Sequence, residues 1–182
     1  MLAKEQLRKS AKEIRKTLDI NEISSTILQV FQSLDSYKNA KNIAIYYPIG
    51  SELNLMDLCQ DRTKSFYLPK SLESGKLSFH LYDEKQELIK DSCGIFSPNT
   101  PEIESSLLDI IIIPALMADK SGLRLGYGKG FYDKFLSSCN LNAQKVVFVP
   151  DELFVETLPA EEWDVKVDMI ITQSGVWFST SL

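Results

Sequence analysis

The chain has 182 residues, with 20 Lys and Arg against 25 Asp and Glu, a formal net charge of −5. That length predicts one domain over 1–182, large enough to bury a core without disulfide or metal staples, and 44% hydrophobic with 25% charged residues excludes bulk disorder. An acidic balance excludes a general nucleic-acid or anionic-membrane binder, because a phosphate backbone demands a basic face; a small anionic ligand on a local basic cluster stays open.

The first 18 residues carry charge every few positions and no apolar central stretch, so a secretory signal is not expected. No apolar run approaches the roughly 20 residues of a bilayer span. Leu7, Ala11, Ile14 and Leu18 recur at spacings of 4, 3 and 4, one face of a helix. On the residues alone, Lys4, Arg8, Lys12 and Arg15 read as its solvated stripe. Ile23, Ile27, Val30, Phe31 and Leu34 predict a second helix, and 39–42 a connector. Ile43–Tyr47, ending at Pro48, reads as a buried strand. Asn54 is placed to cap a short helix over 55–59. Phe66–Leu68 reads as a strand stopped by Pro69, 71–76 as a turn around Gly75, and Leu77–Tyr82 as the next strand. A loop is expected over 94–101. Four consecutive isoleucines within Asp109–Pro114 predict a strand buried on both faces of a mostly parallel sheet. A glycine-rich loop follows, then a helix from Phe131. Lys145–Val149 and Val167–Thr172 are the last expected strands, with a short helix near Glu161 and Glu162. Strands alternating with helices predict an α/β fold: a three-layer domain with a mostly parallel central sheet flanked by helices.

His80 is the only histidine. A His-rich zinc site is therefore excluded, and any Ser-His or Cys-His mechanism would need His80 as its base. It sits in an alternating strand pattern with no nucleophile motif beside it, so a structural role is expected. Neither a G-x-S-x-G elbow nor a G-x-x-x-x-G-K-[ST] loop occurs. Cys59, Cys93 and Cys139 are odd in number and form no C-x-x-C. They are expected to be free thiols in a reducing cytoplasm.

The informative stretch runs from Asp119 to Asp133, and it holds four of the eight glycines within nine residues. Glycines at 126, 128 and 130 let backbone N–H groups curl around and approach a phosphate. The following helix adds its unpaired N–H groups and the positive end of its dipole. Arg124 supplies a planar cationic fork and Lys129 a point charge. Together these predict a phosphate cradle beyond the carboxyl end of a strand. A carboxylate beside bound phosphate needs a cation between them, so Asp133 is a candidate Mg²⁺ ligand, with Asp168 as a second. The competing readings are a helix-start dipole partner for Asp133 and an ordinary strand-end acid for Asp168.

The segment Leu-Gly-Tyr-Gly-Lys-Gly-Phe-Tyr-Asp over 125–133, with Arg124 before it, resembles the 5-formyltetrahydrofolate cyclo-ligases, also called 5,10-methenyltetrahydrofolate synthetases. Lys4-Glu5-Gln6-Leu7-Arg8, the segment Tyr46–Glu52, and Leu158-Pro159 through Asp164, Asp168 and Thr172 resemble three further stretches of that family, in the same order. The resemblance implies an ATP- and Mg²⁺-dependent ring closure of 5-formyltetrahydrofolate to 5,10-methenyltetrahydrofolate through a phosphorylated formyl oxygen. It also implies an ATP site of Lys4, Arg8, Arg124, Leu125, Gly126, Tyr127, Gly128, Lys129, Gly130, Phe131 and Tyr132, with Arg124 and Lys129 catalytic. The implied folate site is Tyr47, Glu52 and the loop from Tyr127 through Gly128, Lys129 and Gly130 to Phe131; Mg²⁺ falls to Asp133 and Asp168. A small-molecule substrate, no nucleic acid, no membrane, a monomer and a cytoplasmic location complete the expectation.

Four positions depart from the pattern: Ala118 and Phe131 where Phe and Tyr are usual, Glu152 near a usual Gln, and Trp163 for a frequent His. The first removes an aromatic wall from the expected pocket. Two other readings of the cradle are a non-catalytic nucleotide- or folate-binding module and a sugar-phosphate isomerase-like enzyme with a carboxylate base.

Overall fold

The computed structural model describes residues 2–72, 75–91, 94–138 and 142–179. The centre of the expected 71–76 turn, Cys93 and Cys139 lie outside them. In chain order the chain forms α1 (Leu2–Lys16), α2 (Ile20–Ser33), α3 (Asp35–Asn39), β1 (Asn42–Ala44), β2 (Ser65–Ser71), β3 (Leu77–Leu81), β4 (Ile89–Lys90) and β5 (Phe96–Ser97). Then come β6 (Ile110–Ile113), β7 (Met117–Asp119), β8 (Arg124–Leu125), α4 (Phe131–Ser138), β9 (Gln144–Phe148), β10 (Phe154–Val155), β11 (Met169–Thr172) and β12 (Gly175–Phe178).

The layers follow from β6. Successive strand side chains point to opposite faces, and all four of its isoleucines are buried, none more than 2% exposed. Ile110 and Ile112 pack in one core with Ile23, Ile27 and Phe31 of α2 and Tyr37 of α3. Ile111 and Ile113 pack in the other with Ala11 of α1 and with Phe135 and Leu136 of α4. The sheet between them has the order β12-β11-β9-β6-β1-β2-β3. Its five inner strands are parallel, and the edge strands β12 and β3 run antiparallel to their neighbours. The expected three-layer α/β architecture is therefore present.

Several boundaries differ from the sequence reading. β1 ends at Ala44, and although Ile45 N–H still reaches Tyr67 O at 2.9 Å, Tyr46 and Tyr47 leave the sheet. Pro69 does not stop β2. Phe66 pairs with Tyr82 and Leu72 with Lys76 by backbone hydrogen bonds to β3's side, so the nitrogen of Pro69 faces the other edge, beyond the end of β1. A proline is tolerated where no ladder partner awaits its N–H. β11 is not the last strand: β12 folds back on it as a hairpin. Residues 161–163 form a turn, not a helix. The short helix expected at 55–59 is a 3-10 turn over Met56–Gln60, with Met56 N–H donating to Asn54 Oδ1 at 3.0 Å. Finally, β7, β8 and β10 make a separate three-stranded sheet, so a hairpin intervenes between β6 and the glycine loop.

Candidate active site

A cleft of about 510 Å³ opens at the carboxyl ends of the parallel strands. Tyr46 and Tyr47 beyond β1, Pro69 in β2 and Pro114 beyond β6 line it, which places it at the end of an open α/β sheet where ligands bind. Every expected nucleotide- and folate-site residue from Lys4 through Asp133 lines this one cleft.

The β7–β8 hairpin aims the loop. Asp119 is fully buried, and its carboxylate accepts the N–H of Ser121 at 2.9 Å, of Leu123 at 3.1 Å and of Leu158 at 2.7 Å. This fixes the turn that delivers Arg124. The Arg124 guanidinium donates to Val165 O and to Asp133 Oδ1, both at 2.8 Å, and its side chain is 4% exposed. Its Nε has no hydrogen-bond partner among the described residues.

Next comes the loop over 126–130. Arg8 from α1 donates from Nε to Gly126 O at 2.9 Å and lies across Gly128. A Cβ on Gly128 would come within 3.3 Å of the Arg8 guanidinium carbon, and the backbone there has φ +97°. Both facts demand glycine: the left-handed conformation strains other residues, and the cation needs the space. Lys129 lines the cleft from the same loop.

Lys4 and Arg8 face inward with Ala11 and Arg15, at i, i+4, i+7 and i+11 on α1. The Lys4 ammonium bridges Glu161 at 2.8 Å and Asp164 at 2.6 Å. Burial alone would lower its pKa, but hydrogen bonds and charge from Asp164 and Glu161 raise it, so it stays protonated. Arg15, read from sequence as solvated, is 2% exposed; it donates to Ala115 O at 2.5 Å and to Ser51 O at 3.3 Å and lies 3.5 Å from the Tyr127 hydroxyl.

Glu52 closes the other end. Its Oε2 accepts Ile49 N–H at 2.8 Å. Burial pushes its pKa up, and hydrogen bonds from Ile49 and Tyr127 and the charge of Arg15 offset only part of that shift. Tyr47 packs its ring 5.4 Å from that of Phe96. Burial raises the Tyr127 and Tyr132 phenols far above their ordinary value, so both stay neutral hydrogen-bond donors. The buried Tyr132 hydroxyl has no partner among the described residues.

Asp168 is the site expectation that the structure does not assemble. It precedes β11 at the amino end of the strands, accepts Lys145 N–H at 2.7 Å and pairs with the Lys145 ammonium at 3.1 Å. The cleft lies at the opposite, carboxyl end, so Asp133 and Asp168 do not face one ligand. Asp133 keeps a side chain 25% exposed at the cleft, with Oδ1 on Arg124 and on Val165 N–H at 3.4 Å. Among the described residues no three His, Cys, Asp or Glu side chains cluster as a metal cage. One carboxylate fits Mg²⁺, which keeps water and phosphate oxygens as its remaining ligands.

The sequence reading left Glu161, Asp164 and Arg15 without a site role. The Arg15 signal was available: it shares the heptad-like face of Ala11. Glu161 and Asp164 lie in a turn with no periodicity to mark it. Ala118 is fully buried in β7, away from the cleft lining, so its small side chain removes no wall there. His80 is structural as expected, donating from Nδ1 to Thr100 O at 2.6 Å with Ser78 Oγ 2.9 Å from Nε2. Burial pushes the Cys59 thiol up to about 12, an inert thiol.

Comparison with known proteins gives a consistent result. Residues 1–173 match the model of the 5-formyltetrahydrofolate cyclo-ligase family. The 5-formyltetrahydrofolate cyclo-ligase of Escherichia coli K12 is 33% identical over 147 residues, covering 76% of this chain and 81% of that protein. That of Haemophilus influenzae is 32% identical over 181 residues, covering 90% and 94%. The solution structure of Aquifex aeolicus 5,10-methenyltetrahydrofolate synthetase superposes with a TM-score of 0.87 at 29% identity, over 100% of this chain and 95% of that one. No helix among the described residues is long and apolar enough to cross a membrane.

Proposed function

Because the chain belongs to the 5-formyltetrahydrofolate cyclo-ligase family, we propose that it uses ATP and Mg²⁺ to close 5-formyltetrahydrofolate to 5,10-methenyltetrahydrofolate, releasing ADP and phosphate. Membership removes the isomerase-like alternative, and the relatives are enzymes rather than binding modules. The observation that carries the ATP reading is the convergence of Lys4, Arg8, Arg124 and Lys129 on the same cleft as Tyr47 and Glu52. Four cations beside a glycine loop suit a triphosphate; a carboxylate at the far end suits the paired N–H edge of a pterin.

The chemistry asks for alignment and charge neutralisation rather than a nucleophilic side chain. A formyl oxygen is a poor leaving group. In the proposed sequence it bonds to the γ-phosphorus as the bond to the ADP oxygen breaks. The neighbouring secondary amine, N10, then attacks the formyl carbon and loses its proton as phosphate departs with the former formyl oxygen. Arg124 and Lys129 hold the transferring phosphoryl, where fixed cations stabilise developing charge. Val165 O and Asp133 hold the Arg124 guanidinium in place before a phosphate arrives. Gly126 through Tyr132 wrap the nucleotide, with Arg8 braced on the loop. Glu52 and Tyr47 orient the pterin, and Tyr127 to Phe131 border it. Asp133 would hold Mg²⁺, which neutralises phosphate charge when bound. The same reading takes the protein to act as a monomer in the cytoplasm.

Mixing the protein with 5-formyltetrahydrofolate, ATP and Mg²⁺ and following methenyl-folate absorbance tests the reading. Growth of the signal that stops when ATP is withheld or Mg²⁺ is chelated is expected. Growth without ATP, or none from folded protein, contradicts it.

A further inference from the structure

Helix α1 orders the cleft along its length. At 1.5 Å rise per residue, Lys4 and Arg15 stand about 16 Å apart on one face. Arg15 marks one end, against Ser51 O and the Tyr127 hydroxyl, next to Glu52. Arg8 marks the middle, on Gly126 O. Lys4 marks the other end, against Glu161 and Asp164.

Between those two carboxylates sits Trp163. It lines the cleft, yet it is 66% exposed, the most exposed large apolar side chain among the described residues. Its turn is braced: Glu161 N–H donates to Asp164 Oδ2 at 2.8 Å, Asp164 N–H to Glu161 O at 3.0 Å, and Lys4 ties both carboxylates to α1. A fixed turn thus presents an indole face to water at a cleft rim. An aromatic side chain held at the rim of a cleft offers a stacking surface for a flat ring of the ligand that the cleft takes. The pterin end lies at Glu52, about 16 Å away along α1; of the two flat rings left for this end, the nucleobase and the p-aminobenzoyl ring of the folate, the base is the one joined to phosphates on the glycine loop that Arg8 braces.

We propose that Trp163 is the nucleobase platform of the cleft, its indole stacking on the base of the nucleoside triphosphate whose phosphates lie on the glycine loop. The proposal rests on the ATP reading above. Stacking of a base on an aromatic side chain is sequence-tolerant and strong enough to shift affinity by about tenfold or more.

The test separates base from phosphate. Dissociation constants are measured by calorimetry for Mg-ATP and for Mg-tripolyphosphate, which carries the charge without a base. In W163A the ATP constant rises about tenfold or more, the tripolyphosphate constant is unchanged, and W163F restores most of the ATP affinity. In wild type, ATP quenches indole emission; in W163F the remaining Trp177 gives no such response. Unchanged ATP affinity in W163A overturns the proposal, as does an equal loss for both ligands, which makes the residue a brace of the turn. A loss for 5-formyltetrahydrofolate in place of ATP overturns it too. Wild-type protein that binds neither ATP nor tripolyphosphate overturns the ATP reading itself, and the platform with it.

Discussion

At the scale of single residues, Glu52 carries a pH signature. Burial raises its pKa above the ordinary 4.5, and its three stabilising contacts recover only part of that shift. The folded protein therefore holds the Glu52 proton more tightly than the unfolded chain does. Its ionisation opposes folding as pH climbs from 4.5 toward the raised value. Ligand binding runs the other way, because a pterin edge donates N–H groups and needs the carboxylate. Affinity for folic acid, an acid-stable probe of the pterin contact, is expected to fall as pH drops through the raised pKa, and E52Q to bind weakly with no such slope. Equal slopes in both proteins would remove Glu52 from the pterin contact. Arg15 shows what a residue-level reading of sequence misses. Its charge suggested solvent, but its position on the Ala11 face decides its fate, and three oxygens around the guanidinium, from Ala115, Ser51 and Tyr127, make burial tolerable.

At the scale of elements, which end of a strand a residue occupies decides what it can do. Asp168 and Asp133 are both acids beside regular elements, and sequence spacing alone could not separate them. The parallel sheet does: Asp168 lies at the amino end of β11 with Lys145, whereas Asp133 lies in the first turn of α4 at the cleft. Accordingly D133N should weaken the Mg²⁺ dependence of the reaction, while D168N should leave the Mg²⁺ titration unchanged and act only on thermal stability. An Mg²⁺ titration shifted by D168N and not by D133N would reverse this assignment. The glycine loop was legible because its requirement is local: left-handed backbone at Gly128 and Gly130 is written as glycine in the sequence. The β7–β8 hairpin was not, since two- and three-residue strands offer no periodicity and the hairpin is defined by what Asp119 ties together.

At the scale of the whole molecule, the two-sided burial of Ile110 to Ile113 forces a layer of helices on each face. That layer was readable from the run of isoleucines. So was the class of fold, because parallel sheets buried on both faces need β-branched runs. The cleft itself was not, beyond its glycine wall. It is assembled from α1, the segment after β1, the loop before α4 and the turn at 161–164, which meet only in three dimensions. Charge organises the assembly: an acidic chain gathers its site cations at one end of the sheet and holds two of them, Lys4 and Arg124, on its own carboxylates. Phosphate oxygens would meet cations already desolvated and positioned, as preorganised charge requires.

The route of the formyl oxygen is the most direct test of this account. Substrate labelled with ¹⁸O in the formyl group is turned over with unlabelled ATP, and the released phosphate is analysed by mass spectrometry. Transfer of the γ-phosphoryl group to the formyl oxygen predicts phosphate carrying one ¹⁸O for each methenyl product formed. Phosphate free of label, with methenyl-folate produced at the same rate, would contradict it.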